Sequence, residues 1–316
     1  MKLATLKDGS RDGQLIVVSR DLALAHLASG IATRLQQALD DWNFIAPQLE
    51  DLSATLNGGK ARHAFAFDPR QCMAPLPRSY QWSLAGAAAP AAEARSGDAW
   101  LGAHDDAFFF DADAGIDLGA GLAVITGDVP MGATPEQALE GVRLLLLVNA
   151  WALREAPALP PPASAAGPVA VTPDELGAAW SGGLLRLPLA SHVNERLLGA
   201  PDAGQGPDGG FGAVLSRLAR TRGLRAGSVV GAGTVGEAGA ADATRGFGSL
   251  ADKRAHAAGS DGGAPRSAWL RFGDRVRIEM KGRDGQSVFG AIEQTVTGPA
   301  AAMAAADGAP PSAAAA

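Results

Sequence analysis

Residues 115–149 read GIDLGAGLAVITGDVPMGATPEQALEGVRLLLLVN, and this stretch contains the strand and helix signals that decide the fold. The apolar run at 122–126 follows a glycine-containing segment and predicts a buried strand. Residues 134–137 predict a helix start, because threonine caps the helix, proline fits its first position and glutamine completes a capping box. We expect the helix to continue, with an apolar face formed by Leu139, Val142, Leu145 and Leu146.

Strand signals outnumber helix signals in the rest of the C-terminal part. Val276, Ile278 and Met280 alternate with charged residues, and a turn at 282–285 leads into a second strand over 287–296. Shorter patterns predict a helix start at 172–175, a strand over 185–189, a helix over 211–218 and a strand at 228–230. Because the strands do not alternate regularly with helices, we predict an α+β fold with a mixed, mostly antiparallel core and flanking helices.

The first 80 residues predict a small N-terminal α+β domain. Segments 2–7 and 14–19 are β-prone runs separated by turn residues, and they predict a hairpin. Apolar residues at helical spacing follow from Ile31 to Leu56, and we expect Pro47 to divide this region into two helices.

Composition suggests where the folded parts end. Residues 83–97 are rich in alanine and glycine and poor in large apolar side chains, which favours a loose connection. We therefore predict an N-terminal domain at 1–80, an Ala/Gly-rich connection at 81–104, a larger domain at 105–298 and a disordered tail at 299–316.

The composition also excludes several classes of protein. The 316 residues carry a formal net charge of −6, which argues against binding to nucleic acid phosphates. The single cysteine, Cys72, excludes a disulfide within the chain and any site built from several thiolates. The most apolar run, 144–153, contains Asn149 and is too short to span a bilayer, and the charged start does not resemble a signal peptide. We expect a soluble cytoplasmic protein with no membrane partner.

Local motifs supply weak candidates for chemistry. Gly231, Gly233 and Gly236 have the spacing of a dinucleotide-binding loop, but no helical pattern follows them, so a strand entering a glycine turn is the better interpretation. An acidic stretch could gather around a hard cation or could be a solvated loop, and the second is favoured: Asp105, Asp106, Asp111, Asp113, Asp117 and Asp128. Five histidines have no metal-ligand spacing: His26, His63, His104, His192 and His256.

Longer blocks of the sequence resemble the fumarylacetoacetate hydrolase family, particularly bacterial members of the 2-keto-4-pentenoate hydratase-like kind. The opening MKLATLKDGSRDGQLIVVSRD and the segment ALDDWNFIAPQLEDL resemble the N-terminal unit of these proteins. Residues 115–149 resemble the segment that holds their metal. The blocks PVAVTPDELG, AGSVVGAGTV and WLRFGDRVRIEMKGRDGQSVFGAIEQTV follow in the family order.

The resemblance implies a fold and a chemistry. The fold would be a mixed β-roll with flanking helices, forming a homodimer. The chemistry would be cleavage, hydration or decarboxylation of small 2-oxo acids, including acylpyruvates, with Mg²⁺ or Mn²⁺ polarising the substrate carbonyl.

Carried over residue by residue, the resemblance places glycine or alanine at the metal-ligand positions. Two family glutamates fall on Gly119 and Gly121, beside Asp117, and the third ligand, an aspartate after Val-Asn in the predicted helix, falls on Ala150. The family lysine falls on Pro161, whereas Thr234 keeps the position that faces the substrate carboxylate. Because glycine and alanine have no side-chain oxygen, we predict that no divalent ion is held tightly here.

Two hypotheses follow. The first is a family enzyme that acts on a small 2-oxo acid with reduced or lost metal-dependent activity. The second is a non-catalytic homologue that binds a carboxylate ligand or pairs with another subunit.

Overall fold

A computed structural model describes residues 1–85, 92–205, 209–236, 245–261 and 267–299. The N-terminal elements are β1 (Lys2–Leu6), β2 (Gln14–Val18), β3 (Leu24–Leu27), α1 (Leu35–Asp40), α2 (Trp42–Asn57) and β4 (Phe65–Ala66). The central elements are β5 (Gln81–Leu84), β6 (Glu93–Arg95), β7 (Ala107–Phe108), β8 (Ile116–Asp117), β9 (Ala120–Thr126), α3 (Pro135–Glu140), β10 (Val142–Asn149), β11 (Ala152–Leu153), β12 (Ala165–Ala166) and β13 (Ala170–Val171). The C-terminal elements are β14 (Trp180–Ser181), β15 (Leu184–Leu185), β16 (Leu189–Val193), β17 (Arg196–Gly199), α4 (Gly210–Leu218), β18 (Ser228–Thr234), α5 (Leu250–Asp261), β19 (Arg275–Lys281) and β20 (Ser287–Thr297). Short 3₁₀ helices cover Pro69–Gln71, Pro173–Ala179 and Ala203–Gln205.

The strands form two main sheets, which are mixed and mostly antiparallel. The larger has the order β4-β3-β2-β1-β13-β10-β9-β18-β5-β6, with β12 also paired to β10. The smaller has the order β17-β16-β19-β20-β7. Only β18–β5 and β20–β7 pair in parallel among the strand pairs of the described ranges. The predicted α+β class with a mixed, mostly antiparallel core and flanking helices is therefore confirmed.

The N-terminal strands are continuous with the large sheet. β1 pairs with β13, with Lys2 opposite Val171. The predicted hairpin is present as β1 and β2, whose register places Lys2 opposite Val18. The helices α1 and α2 pack their apolar residues against this side of the large sheet.

The central strands β9 and β10 are buried on both faces. Alternate residues of β10 belong to different cores: Leu145 and Leu147 pack towards the smaller sheet, and Leu144 and Leu146 pack towards α1 and α2. A strand buried on both faces carries a continuous apolar run, because neither of its alternating sets of side chains meets water.

This double burial explains why the helix predicted beyond Glu140 is wrong. Thr134 caps α3 with the predicted capping box, but the helix ends at Glu140, and Gly141 follows as its C-cap. Val142–Asn149 is then a strand. A continuous apolar run fits helical spacing as well as strand spacing, so the pattern could not distinguish them.

The predicted division of the helical region at Pro47 is also wrong. A break between two helices exists, but it lies at Asp41, whose φ of −129° and ψ of 44° are not helical. Pro47 lies inside the continuous helix α2. As the sixth residue of α2 it lies beyond the first turn, so the helix continues without the hydrogen bond that an amide at position 47 would donate to the carbonyl oxygen of Asn43.

The loose connection predicted for 83–97 is wrong at both of its ends. Gln81–Leu84 pairs in parallel with β18, and Glu93–Arg95 pairs with β5, so these residues extend the large sheet. Trp82 is buried, and the small neighbour Gly231 packs against its ring. The middle of the segment, 86–91, and the tail from residue 300 onwards lie outside the described residues.

None of the helices in the described ranges has the length and apolar character needed to cross a membrane.

Candidate functional site

The ends of several strands of the large sheet surround a cleft of about 630 Å³. Ala150, which follows β10, lines it together with Thr234 at the end of β18 and Pro161 from the proline-rich segment. The walls are completed by residues of β6, β11 and the first turn of α5, namely Glu93, Arg95, Ala152, Leu153, Ala251 and Asp252, and by Arg154. The fold therefore brings together three positions that the sequence comparison placed in one site.

Gly119 and Gly121 lie directly behind this wall. The amide of Ala150 donates to the carbonyl oxygen of Gly119 at 2.8 Å. Gly121 pairs with Val148 of β10 on one side and with Thr234 of β18 on the other. The positions assigned to the site by resemblance are thus neighbours in the structure. Asp117 is also close, because it lies opposite Ala152 of the cleft wall, but its carboxylate is held by Arg154 and α5.

The space beyond the two glycines is closed by backbone. A Cβ atom on Gly119 would lie 2.6 Å from the carbonyl oxygen of Ala150, and one on Gly121 would lie 2.5 Å from the carbonyl oxygen of Gly233. Real Cβ atoms do not approach backbone oxygens so closely, so a side chain at either position would force the strands apart. This backbone does not accommodate glutamate at 119 or 121 without a shift.

Asp117 is fully buried and has its oxygens engaged by donors. Oδ1 accepts from the amide of Leu250 at 2.8 Å, and Oδ2 accepts from the amide of Ala251 at 3.2 Å. Oδ2 also accepts from Nε of Arg154 at 3.0 Å. The carboxylate therefore caps the first turn of α5, where the helix dipole favours a negative charge. The expectation that Asp117 belongs to a solvated acidic stretch is wrong.

Burial sets the protonation equilibrium of Asp117. It raises the pKa of this carboxyl, because removal from water disfavours the charged form. Arg154 and the two α5 amides act in the opposite direction without cancelling the effect of burial.

Two arginines lie on the cleft wall with different surroundings. Arg95 is almost completely buried, donating from Nη1 to Ser164 Oγ and from Nη2 to the carbonyl oxygen of Trp151, both at 3.0 Å. Its Nε lies 3.3 Å from Glu93 without hydrogen-bond geometry, and burial lowers the pKa of Arg95. The side chain of Arg154 is 38% exposed.

The donors at the predicted metal position do not fit a divalent ion. Mg²⁺ and Mn²⁺ require several oxygen ligands, commonly from carboxylates. Asp117 is the carboxylate nearest in sequence to Gly119 and Gly121, and Arg154 and α5 already bind it. In the ranges that the structure describes, no three His, Cys, Asp or Glu side chains are grouped so that they could hold a metal ion.

The other sequence candidates do not form a site with these residues. Asp105 pairs with Lys7 at 2.8 Å, Asp113 pairs with Arg271, and Asp128 accepts from the amide of Ala226 at 3.1 Å. The acidic residues are therefore dispersed.

The glycine motif is part of a strand. β18 runs through Gly231 and Gly233, with a register shift before Thr234. The preferred interpretation, a strand entering a glycine turn, agrees with this arrangement as far as Gly236, and residues 237–244 are outside the described ranges.

Cys72 is buried, and burial raises the pKa of its thiol to about 12. The thiolate, which is the reactive form, is therefore disfavoured at neutral pH.

Sequence spacing missed one association of histidines. His104 and His192 line a second cleft of about 620 Å³ together with Glu293. His104 Nδ1 lies 3.7 Å from Glu293 Oε2, and burial lowers the pKa of this histidine. The register of β16, β19 and β20 brings His192 towards Glu293, and the amide of Glu293 donates to the carbonyl oxygen of Ala103, beside His104. No spacing within one segment reveals this group.

Comparisons with known proteins agree with this architecture. The family model described as fumarylacetoacetase N-terminal domain 2 matches residues 1–78, and the model described as fumarylacetoacetate (FAA) hydrolase C-terminal matches residues 94–297. No curated protein sequence matches the chain significantly.

Solved structures similar to this chain include enzymes of several kinds. Maleylpyruvate hydrolase from Sphingobium sp. SYK-6, in complex with manganese(II) ion and pyruvate, is 16% identical with a TM-score of 0.67, covering 95% of this chain and 100% of that chain. Fumarylacetoacetate hydrolase from Exiguobacterium antarcticum is 16% identical with a TM-score of 0.64 and the same coverage. 5-carboxymethyl-2-hydroxymuconate delta-isomerase from Mycobacterium smegmatis is 13% identical with a TM-score of 0.58, covering 95% of this chain and 99% of that chain. At these identities the likeness shows a common fold.

Proposed function

Because this chain belongs to the fumarylacetoacetate hydrolase family, we propose that its cleft binds a small carboxylic acid without a resident divalent ion and without metal-dependent cleavage of C–C bonds. The observation that carries the proposal is the closed backbone behind Gly119 and Gly121. The carbonyl oxygen of Ala150 lies 2.6 Å from the position of a Cβ atom on residue 119, and that of Gly233 lies 2.5 Å from the position of a Cβ atom on residue 121. Side chains that bind a metal ion therefore do not fit at these two positions.

The choice of a small acid has two supports. One similar structure is a maleylpyruvate hydrolase with pyruvate bound, which is a small 2-oxo acid. In this chain the cleft is lined by Thr234, which has a hydroxyl group, and by Arg154, which has a guanidinium group. Both groups can donate hydrogen bonds to a carboxylate.

The loss of cleavage follows from the chemistry that a metal supplies. A divalent ion polarises the carbonyl of a 2-oxo acid and stabilises negative charge that develops on its oxygen. The donors around Ala150 do not support such an ion, as argued above. Binding of the acid can persist, because hydrogen bonds to its carboxylate do not depend on that charge.

Turnover measurements test the proposal. Purified protein is assayed with maleylpyruvate and related acylpyruvates by loss of enol absorbance, with Mg²⁺, with Mn²⁺ and with EDTA. The maleylpyruvate hydrolase of Sphingobium sp. SYK-6 is the positive control. We expect no turnover by this chain under any condition, together with thermal stabilisation by pyruvate in EDTA. Metal-dependent turnover would instead support a family enzyme with reduced activity.

We also propose that the chain forms a homodimer, as the family resemblance implies. Phe110 is 85% exposed and Phe108, in the edge strand β7, is 44% exposed, so an apolar surface is available there. Light scattering of the purified protein gives the mass directly, and a monomer at all concentrations would contradict this assembly.

A further inference from the structure

The terminal amino groups of Arg154 form no hydrogen bond with any group in the described ranges. Its Nε donates to Asp117 at 3.0 Å, which holds one edge of the guanidinium. No hydrogen bond is formed by its Nη1 or Nη2 to any group of the described ranges, and 38% of the side chain is exposed. The side chain lines the cleft, so these terminal groups are accessible to a ligand.

Arg95, the other arginine on this wall, is already engaged. Ser164 and the carbonyl oxygen of Trp151 accept from its two terminal groups, and only 4% of its side chain is exposed. It fixes β6 against the loop after β10. The available guanidinium of this wall is therefore that of Arg154.

The carboxylates that line the cleft have partners of their own. Glu93 lies 3.3 Å from Arg95. Asp252 is hydrogen-bonded to Ser249, and its amide donates back to Ser249 Oγ at 3.0 Å, as in a helix cap. Neither carboxylate has an ion pair with Arg154 in the described ranges, so the terminal amino groups of Arg154 are left for an incoming anion.

We propose that the guanidinium of Arg154 takes the place of a divalent ion as the positive group that binds the ligand's carboxylate. This inference rests on the proposed function, since it names the residue that recognises the acid in the same cleft. A guanidinium presents parallel N–H groups that match the oxygens of a carboxylate, and it keeps its charge at all physiological pH values. Thr234, on the same cleft wall, adds a hydroxyl donor.

Calorimetric titration with pyruvate in the presence of EDTA tests this assignment. The variants are Arg154→Gln, which removes the charge, and Arg154→Lys, which keeps a charge near Asp117 but lacks the planar fork. Arg225→Gln is the matched control, because Arg225 is 83% exposed and lies outside the cleft. Circular dichroism and chemical unfolding establish that each variant is folded.

We expect Arg154→Gln to weaken pyruvate binding by about tenfold or more, as expected for loss of a hydrogen bond to a charged group. Arg154→Lys should bind more weakly than the wild type even when fully folded, and Arg225→Gln should bind like the wild type. Inorganic phosphate, tested as a tetrahedral anion, should bind more weakly than pyruvate.

The results that overturn the inference differ from those that overturn the proposed function. Wild-type affinity in both folded Arg154 variants overturns the role of Arg154 while acid binding stands. Tighter binding of phosphate than of pyruvate overturns the assignment to a carboxylate. Failure of the wild type to bind pyruvate in EDTA overturns the proposed function and this inference with it.

Discussion

Gly121 lies between β10 and β18, and it is one of the positions at which this chain has no side chain to bind a metal ion. A Cβ at this position would lie 2.5 Å from the carbonyl oxygen of Gly233. The restriction is steric, since no left-handed backbone conformation is involved.

Gly121→Ala should therefore lower the free energy of unfolding by about 1–3 kcal/mol, the usual cost of overpacking a core. Gly30→Ala is the control, because a Cβ at Gly30 meets nothing within 4 Å and its φ is not positive. Urea unfolding of both variants measures the difference. Equal stability of the two would mean that the strands separate easily, and then a longer side chain could also fit at 121.

Asp117 supplies a second test at the residue scale, through pH. Burial raises its folded-state pKa above the unfolded value, so the folded state holds this proton more tightly than the unfolded state does. The resulting stabilisation is present below the unfolded pKa and is lost as pH rises through the folded pKa.

The wild type should thus lose stability relative to Asp117→Asn as pH rises from about 4 to about 7. Chemical unfolding of both proteins across this range gives the difference at each pH. A difference that changes in the opposite direction would show that the ion pair with Arg154 outweighs burial.

Among the helices and strands, the N-terminal cap of α3 lies at the residues that the sequence predicted. Thr134 Oγ1 accepts from the amide of Gln137 at 3.3 Å, and the Gln137 side chain accepts from the Thr134 amide at 3.0 Å. Thr134→Ala should lower the unfolding free energy by about 1 kcal/mol. Thr221→Ala, at another exposed threonine, should have no such effect in the same thermal unfolding measurement. Equal losses for the two variants would contradict the capping role.

The type of a secondary-structure element was predictable from the sequence where one of its faces is buried, as in β19, but not where both faces are buried, as in β10. β19 alternates buried Val276, Ile278 and Met280 with more exposed residues, and this alternation identifies a strand. β10 is buried on both faces, so its run of leucines shows no alternation of apolar and polar residues that would distinguish a strand from a helix. β5 and β6 flank an alanine-rich segment whose composition suggested no order. Their place in the sheet is revealed only by the pairing of β5 with β18 and of β6 with β5.

The proximity of the candidate positions could be predicted from the sequence, but their contacts could not. Resemblance placed Gly119, Gly121, Ala150 and Thr234 together, and they are neighbours in the fold. Sequence could not show that Asp117 is committed to α5, because Leu250 lies 133 residues away in the chain. The sequence also gave no signal for Arg154. Its candidate role depends on two features of the fold, namely the hydrogen bond from its Nε to Asp117 and its position on the cleft wall.

Across the molecule, the large sheet fixes the position of the cleft. The cleft lies where β10, β18 and β6 end, and the cores on both faces of β9 and β10 hold those strands in place. The scaffold therefore does not require a metal ion for its stability. Loss of the ion would change the chemistry of the cleft without removing the cleft.

Calorimetric titration of the purified wild-type protein with Mn²⁺ determines whether this cleft holds a divalent ion. We predict no saturable heat of binding up to millimolar Mn²⁺. Stoichiometric binding at submillimolar concentration, competed by Mg²⁺, would show that the cleft retains a metal site.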